Sequence, residues 1–101
     1  MSLETQLKML EEVSSELRKI LKIRSLKKAF PNSTIYSSFK IREPVCEVFT
    51  SSEDLTTTEQ IDSTLKLRLN KLSKDYPVYW YSESQKEGRN FTRTYWIRAA
   101  A

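Results

Sequence analysis

The chain has 101 residues with a hydrophobic fraction of 39%, 30% charged residues and a net charge of +4, which fits one domain with a modest core and is too apolar for a disordered chain. It holds no histidine, a single cysteine (Cys46) and a single glycine (Gly88), which removes His-based triads, nearly all zinc, haem and iron–sulfur sites, internal disulfides and Gly-rich phosphate loops. No cofactor or metal is expected, and no apolar run approaches the ~20 residues that span a bilayer, so no membrane partner is expected either.

The N-terminal stretch "MSLETQLKML" lacks the basic-then-apolar order of a secretory leader, and an intracellular location is expected. It opens a long helix instead, with Ser2 as N-cap and Glu4 in the first turn. Leu3, Leu7, Leu10, Val13, Leu17, Ile20 and Leu21 recur at helical spacing as one apolar stripe. Beyond Lys22 the stripe drifts through Ile23, Leu26 and Phe30, so the helix either bends or restarts there. Pro31 and Asn32 end it.

"STIYSSFKI" and "VCEVFT" read as two strands joined by a turn at Arg42-Glu43-Pro44, a hairpin. Ile35, Phe39 and Ile41 share one strand face, and Tyr36, Ser38 and Lys40 the other. A loop "SSEDL" leads into a second helix, for which Thr56 and Glu59 fit a capping box with Leu55 as hydrophobic staple. Its stripe is Ile61, Leu65, Leu69, Leu72 and Tyr76, closed by Pro77. The chain ends in strand "VYWYSES", turn "QKEGRN" and strand "FTRTYWIR", with Gly88 supplying positive φ in the turn.

The order is helix–strand–strand twice: residues 2–52 and 53–98 of one domain, 1–101. "LKIR" at 21–24 and "LKLR" at 65–68 anchor a match that sets Ile35-Tyr36 against Tyr79-Trp80 and Ser38 against Ser82. The expected fold is therefore α+β: two tandem α-β-β motifs related by a pseudo-two-fold, with the Ile35/Phe39/Ile41 and Phe91/Tyr95/Ile97 faces against both helices. With this organisation the chain resembles the small duplicated helix–hairpin proteins of filamentous viruses that infect the archaeon Acidianus. The resemblance implies a viral, non-enzymatic protein in a host cytoplasm or virion, and it transfers no site.

Carboxylates are the one remaining source of acid–base or cation chemistry. Glu59 and Asp62 share a helical face, and Glu43 and Glu47 share a strand parity, spacings typical of solvated surface. The sequons at Asn32 and Asn90 are coincidental in a Ser/Thr-rich intracellular chain. The sequence names no catalytic residue, and the protein is read as not an enzyme.

Rings on both faces of the last hairpin point elsewhere. One face must meet the core, so the other carries aromatic residues to a seam or to the surface. Tyr, Trp and Arg are the residues enriched at interface hot spots. The first reading is a protein–protein interaction module holding a peptide, a partner or a second copy in an aromatic groove between the two motifs. Its residues are Tyr36, Tyr79, Trp80, Tyr81, Arg93, Tyr95, Trp96 and Arg98. The alternative is nucleic-acid binding by Arg18, Lys19, Lys22, Arg24, Lys27 and Lys28 of the first helix end, with Lys86 and Arg89 of the last hairpin. Against it, the helical bases point in several directions, and Glu11, Glu12, Glu16, Glu83 and Glu87 dilute the field.

Overall fold

In the computed structural model, which describes residues 2–42 and 44–100, the first helix, α1 (Leu3–Ile20), opens on the expected cap. Ser2 Oγ accepts from the Thr5 backbone N–H at 3.2 Å, Glu4 sits in the first turn, and Arg18 and Lys19 in the last, where each charge suits the helix dipole. Met9, Leu10, Val13 and Leu17 are buried, whereas Leu3 at the start of the stripe is 54% exposed. The helix then breaks. Lys22 is extended, and a short helix, α2 (Ile23–Ala29), restarts in a new direction. Neither glycine nor proline forces this. Leu21 and Leu26 are both buried, and residues five apart point about 140° from one another on a straight helix, so the break is what turns both inward.

The hairpins form β1 (Ile35–Arg42) with β2 (Val45–Ser52), and β3 (Val78–Glu87) with β4 (Asn90–Ala99), separated by the long helix α3 (Leu55–Asp75). All four strands join in one antiparallel sheet of order β1-β2-β4-β3. The helices cover one face of it. The fold class is α+β, as expected. The expected turn at Arg42-Glu43-Pro44 and the Glu43/Glu47 pairing include Glu43, which lies outside the described residues.

Two local expectations need correction. Asp54, not Thr56, caps α3: its Oδ1 accepts from Thr56 N–H at 3.0 Å and its Oδ2 from the Thr57 hydroxyl at 2.9 Å. Asp54 is the first residue in the stretch with a carboxylate short enough to fold back on the next turn, so the helix starts two residues earlier than a Thr56 cap allows. The last turn is also shorter than "QKEGRN". β3 runs through Glu87 and β4 begins at Asn90, leaving Gly88 and Arg89 as the loop. Gly88 has φ 60 and is the only described residue with positive φ, the pattern of a two-residue II′ turn, whose twist suits a hairpin.

The core lies between the helices and the face of the sheet built from Ile35, Phe39 and Ile41, Cys46 and Val48, and Tyr95 and Ile97. Against it pack Leu10, Val13 and Leu17 of α1 and Ile61, Leu65, Leu69 and Leu72 of α3. Ile35, Phe39, Ile41, Tyr95 and Ile97 of the predicted faces meet the core as expected, whereas Phe91, on the same side of the sheet, lies outside it with Lys86 over its ring. Burial of a side chain of this size contributes about 1.5–3 kcal/mol.

The residue matching behind a repeat does not carry into this sheet. Ile35 faces the helices while its match Tyr79 faces away, and Ser38 faces away while its match Ser82 faces the helices. "LKIR" straddles the α1–α2 break, whereas "LKLR" lies inside the unbroken α3. A shift of one residue reverses strand faces, so equivalent positions in that match have opposite environments.

Candidate interaction face

The sheet face turned away from the helices has no layer over it among the described residues. Strand periodicity puts Tyr36, Ser38, Lys40 and Arg42 of β1 there, with Val45, Glu47, Phe49 and Ser51 of β2. Thr92, Thr94, Trp96 and Arg98 of β4 join them, as do Tyr79, Tyr81, Glu83, Gln85 and Glu87 of β3. Tyr36, Tyr79 and Tyr81 are 60%, 52% and 49% exposed, and Phe49 and Trp96 are half-buried.

The register arranges these rings in a diagonal. Tyr36 stands in the row of Ser51 and Thr92, and Phe49 in the next row, with Ser38 and Thr94. Trp96 and Tyr81 pair in the third, and Tyr79 stands with Arg98 in the fourth. Every strand contributes, and each ring lies near the next. Tyr36 meets Phe49 edge-on with centroids 6.0 Å apart, and Tyr81 stacks on Trp96 at 4.9 Å and 21°, both favourable aromatic geometries. A shallow concavity of about 410 Å³ at the Tyr36 end is lined by Phe49, Ser51, Glu53, Asn90 and Thr92.

The stripe separates opposite charges. Lys40, Arg42 and Arg98 lie on one side, with Glu47 directly opposite Lys40 in the ladder. Glu83 and Glu87 lie on the other, joined by Glu53 just beyond β2. The face as a whole is close to neutral.

Of the residues expected to bind a partner, Tyr36, Tyr79, Tyr81, Trp96 and Arg98 are brought together here. Trp80, Arg93 and Tyr95 point to the helix side instead. Trp80 packs against the core, and the Arg93 guanidinium donates to the Thr92 carbonyl at 3.0 Å. Tyr95 is completely buried, and its hydroxyl donates to Asp62 Oδ1 at 2.6 Å. Burial and the Asp62 carboxylate both push its pKa far above the usual tyrosine range. The expected groove between the two halves is closed, because β2 and β4 pair from Val45↔Arg98 to Ser52↔Phe91. The rings therefore line an open face.

The basic residues do not form one site. Arg18 lies over the Phe39 ring at 5.0 Å, and Lys19 pairs with Glu16 at 2.9 Å, which with Arg68 holds the Glu16 carboxyl below its usual range. Lys22, Arg24, Lys27 and Lys28 are exposed on and before α2, beside the β1 edge, where Ile23, Leu26 and Lys27 line a concavity of about 480 Å³ with Ile35 and Tyr36. Lys86 sits over Phe91 at 5.3 Å and Arg89 in the exposed tip of the last hairpin, at the opposite edge of the sheet.

The described carboxylates form no cluster that could hold a cation. Asp62 is engaged by Tyr95 and by Lys66 at 3.0 Å, Glu59 is exposed, and no cluster of potential metal ligands occurs among the described residues. Burial pushes the Cys46 thiol up, with Ser14 and Arg18 acting weakly against it, which disfavours a reactive thiolate. No described helix is long and apolar enough to cross a membrane.

Sequence reasoning placed Lys40 beside Tyr36 and Ser38 but missed Phe49, Arg42, Glu47, Glu53, Glu83 and Glu87 as members of this face. The available signal was strand parity in "VCEVFTS", which sets Phe49 with Glu47 and away from Cys46 and Val48 once the inner side is known. Comparison with protein-family models, with curated proteins and with solved structures gave no match.

Proposed function

We propose that the protein is a non-catalytic interaction module that docks a protein partner on its open sheet face. The observation that carries this reading is the stripe of five rings crossing all four strands, three of them about half exposed or more. A contiguous exposed patch of Tyr, Trp and Phe flanked by arginine has the composition of an interface centre. Its balanced charge suits a protein surface better than a polyanion. The viral assignment, with host cytoplasm or virion as the location, belongs to the same proposal and rests on chain organisation alone. So does descent from a duplicated helix–hairpin unit, which the symmetric strand order supports and the residue matching does not.

The test is replacement of Trp96 and Tyr79 by serine. Both stand outside the core, so the double variant is expected to keep its fold, losing about 1 kcal/mol per ring pair removed. It is expected to lose partner binding measured by cross-linking in the producing cell. Retained binding would remove this face from the function.

One observation favours a second reading, nucleic-acid binding. α2 and the residue before it expose Lys22, Arg24, Lys27 and Lys28 with no acid on the helix, and such residues hold phosphates. Binding to single- and double-stranded DNA at ~50 mM and ~200 mM salt tests it. Steep loss with salt, relieved by charge reversal at these four positions, would favour this reading over the first.

A further inference from the structure

We infer that the partner of the open face is a second copy of this chain, bound face to face about a two-fold axis lying along the aromatic stripe. The inference rests on the interaction-module reading and names its occupant. An isologous interface must present the same patch on both sides, so every feature has to find its complement within that patch. Here the stripe divides the face into a basic flank, Arg42 and Arg98, and an acidic flank, Glu83 and Glu87. Rotation about the stripe lays each set of rings on its copy. The same rotation carries the basic flank of each chain over the acidic flank of the other, twice in one dimer. All four charged side chains are exposed and lack an ion-pair partner among the described residues. Lys40 is offset by Glu47 across the ladder and is not needed.

The register sets the size of the face. Four strands at ~4.8 Å spacing and eight residues at ~3.3 Å rise give a projected face of about 500 Å². Two such faces cover about 1,000 Å², at the lower limit for a specific interface. An interface of this size falls with weak, transient contacts, so the dimer is expected to form and dissociate with concentration. Opposed flanks also make it weaken with salt.

The decisive experiment is a charge swap read by sedimentation equilibrium from ~10 to ~500 µM protein. The wild type is expected to be a reversible dimer. Arg42→Glu with Arg98→Glu makes both flanks acidic, and Glu83→Lys with Glu87→Lys makes both basic. Each variant alone is expected to lose at least about tenfold in self-association. Mixed in equal amounts, the two variants are expected to form a heterodimer, because each altered flank then faces its opposite. A monomeric wild type, or variants that still dimerise singly, would overturn the inference.

A photoreactive benzophenone residue in place of Ser38, on the same face, separates this failure from that of the wider reading. In producing cells, an adduct of twice the chain mass is expected. An adduct with a different protein would overturn self-pairing and keep the face as an interaction surface, and no adduct would overturn both.

Discussion

The Tyr95 hydroxyl donates to Asp62 Oδ1 at 2.6 Å, tying the last strand to the middle of α3 across the core. Asp62 is held in turn by Lys66 at 3.0 Å on its own helix. The tyrosine ring is completely buried while the carboxylate keeps some contact with solvent. Its removal therefore leaves an acceptor that water can still reach. Tyr95→Phe is expected to lower stability by about 1–2 kcal/mol, measured by urea denaturation with unchanged slope. A neutral result would mean that the bond contributes nothing beyond the ring.

The same pair predicts an alkaline limit. In the unfolded chain Tyr95 ionises near pH 10, but in the folded protein burial and Asp62 hold its proton well above that. Its contribution is intact below about pH 10. Above that the unfolded state releases the proton first, and stability falls as pH rises. Tyr95→Phe is expected to flatten this limb of the stability–pH curve. An identical limb in wild type and variant would assign it to other groups, Cys46 first among them.

Asp54 predicts a contrast between neighbouring acids. It caps α3 and also accepts from Ser33 at 3.4 Å, while Ser33 and Thr57 share a hydrogen bond at 2.9 Å. These hydroxyls and N–H groups, Thr57 first, hold its carboxyl below the usual range. Asp54→Ala is expected to lower Tm, and Glu59→Ala to leave it unchanged. The Asp54 contribution is present above the unfolded carboxylate pKa and is lost as pH falls through the lower folded value. Equal melting of the two variants would restore the Thr56/Glu59 capping box.

Gly88 isolates a backbone effect. A Cβ built there meets nothing within 4 Å, yet φ is 60. Gly88→Ala is expected to cost about 1 kcal/mol or more through the positive φ alone, since the first central position of a II′ turn calls for glycine. If alanine were neutral by thermal melting, the turn would have an accessible alternative geometry.

Much of this architecture could be read from residue patterns, and the misses have physical causes. The stripe Ile61-Leu65-Leu69-Leu72 has one period and one interpretation, so α3 was legible at once. The parity of the last strand was legible too, with Phe91, Tyr95 and Ile97 alternating with Thr92, Thr94 and Arg98, but rings on both sides left Tyr95 read as a partner residue when it belongs to the core. β2 was harder. It buries Cys46, Val48, Thr50 and Ser52 and leaves Val45 and Phe49 outside, so hydrophobicity alone does not say which side is inner. That ambiguity hid Phe49 and with it the continuity of the aromatic stripe. Strand order was also hidden, because a groove between hairpins and a ladder between hairpins require the same residues.

The β2–β4 ladder has a consequence for how the chain reaches its native state. Each hairpin closes over short sequence separations, but the pairs Val45↔Arg98 and Ser52↔Phe91 join distant segments in the centre of the sheet. Contacts of that span form late, after the loop entropy between them has been overcome. During synthesis the inner edge of β2 stands unpaired until β4 has left the ribosome. In that interval "VCEVFTS" is a short, β-prone segment open to pairing with another chain. A substitution that slows the arrival of β4 at β2 is therefore expected to lower refolding yield through pairing of the open β2 edge with other chains.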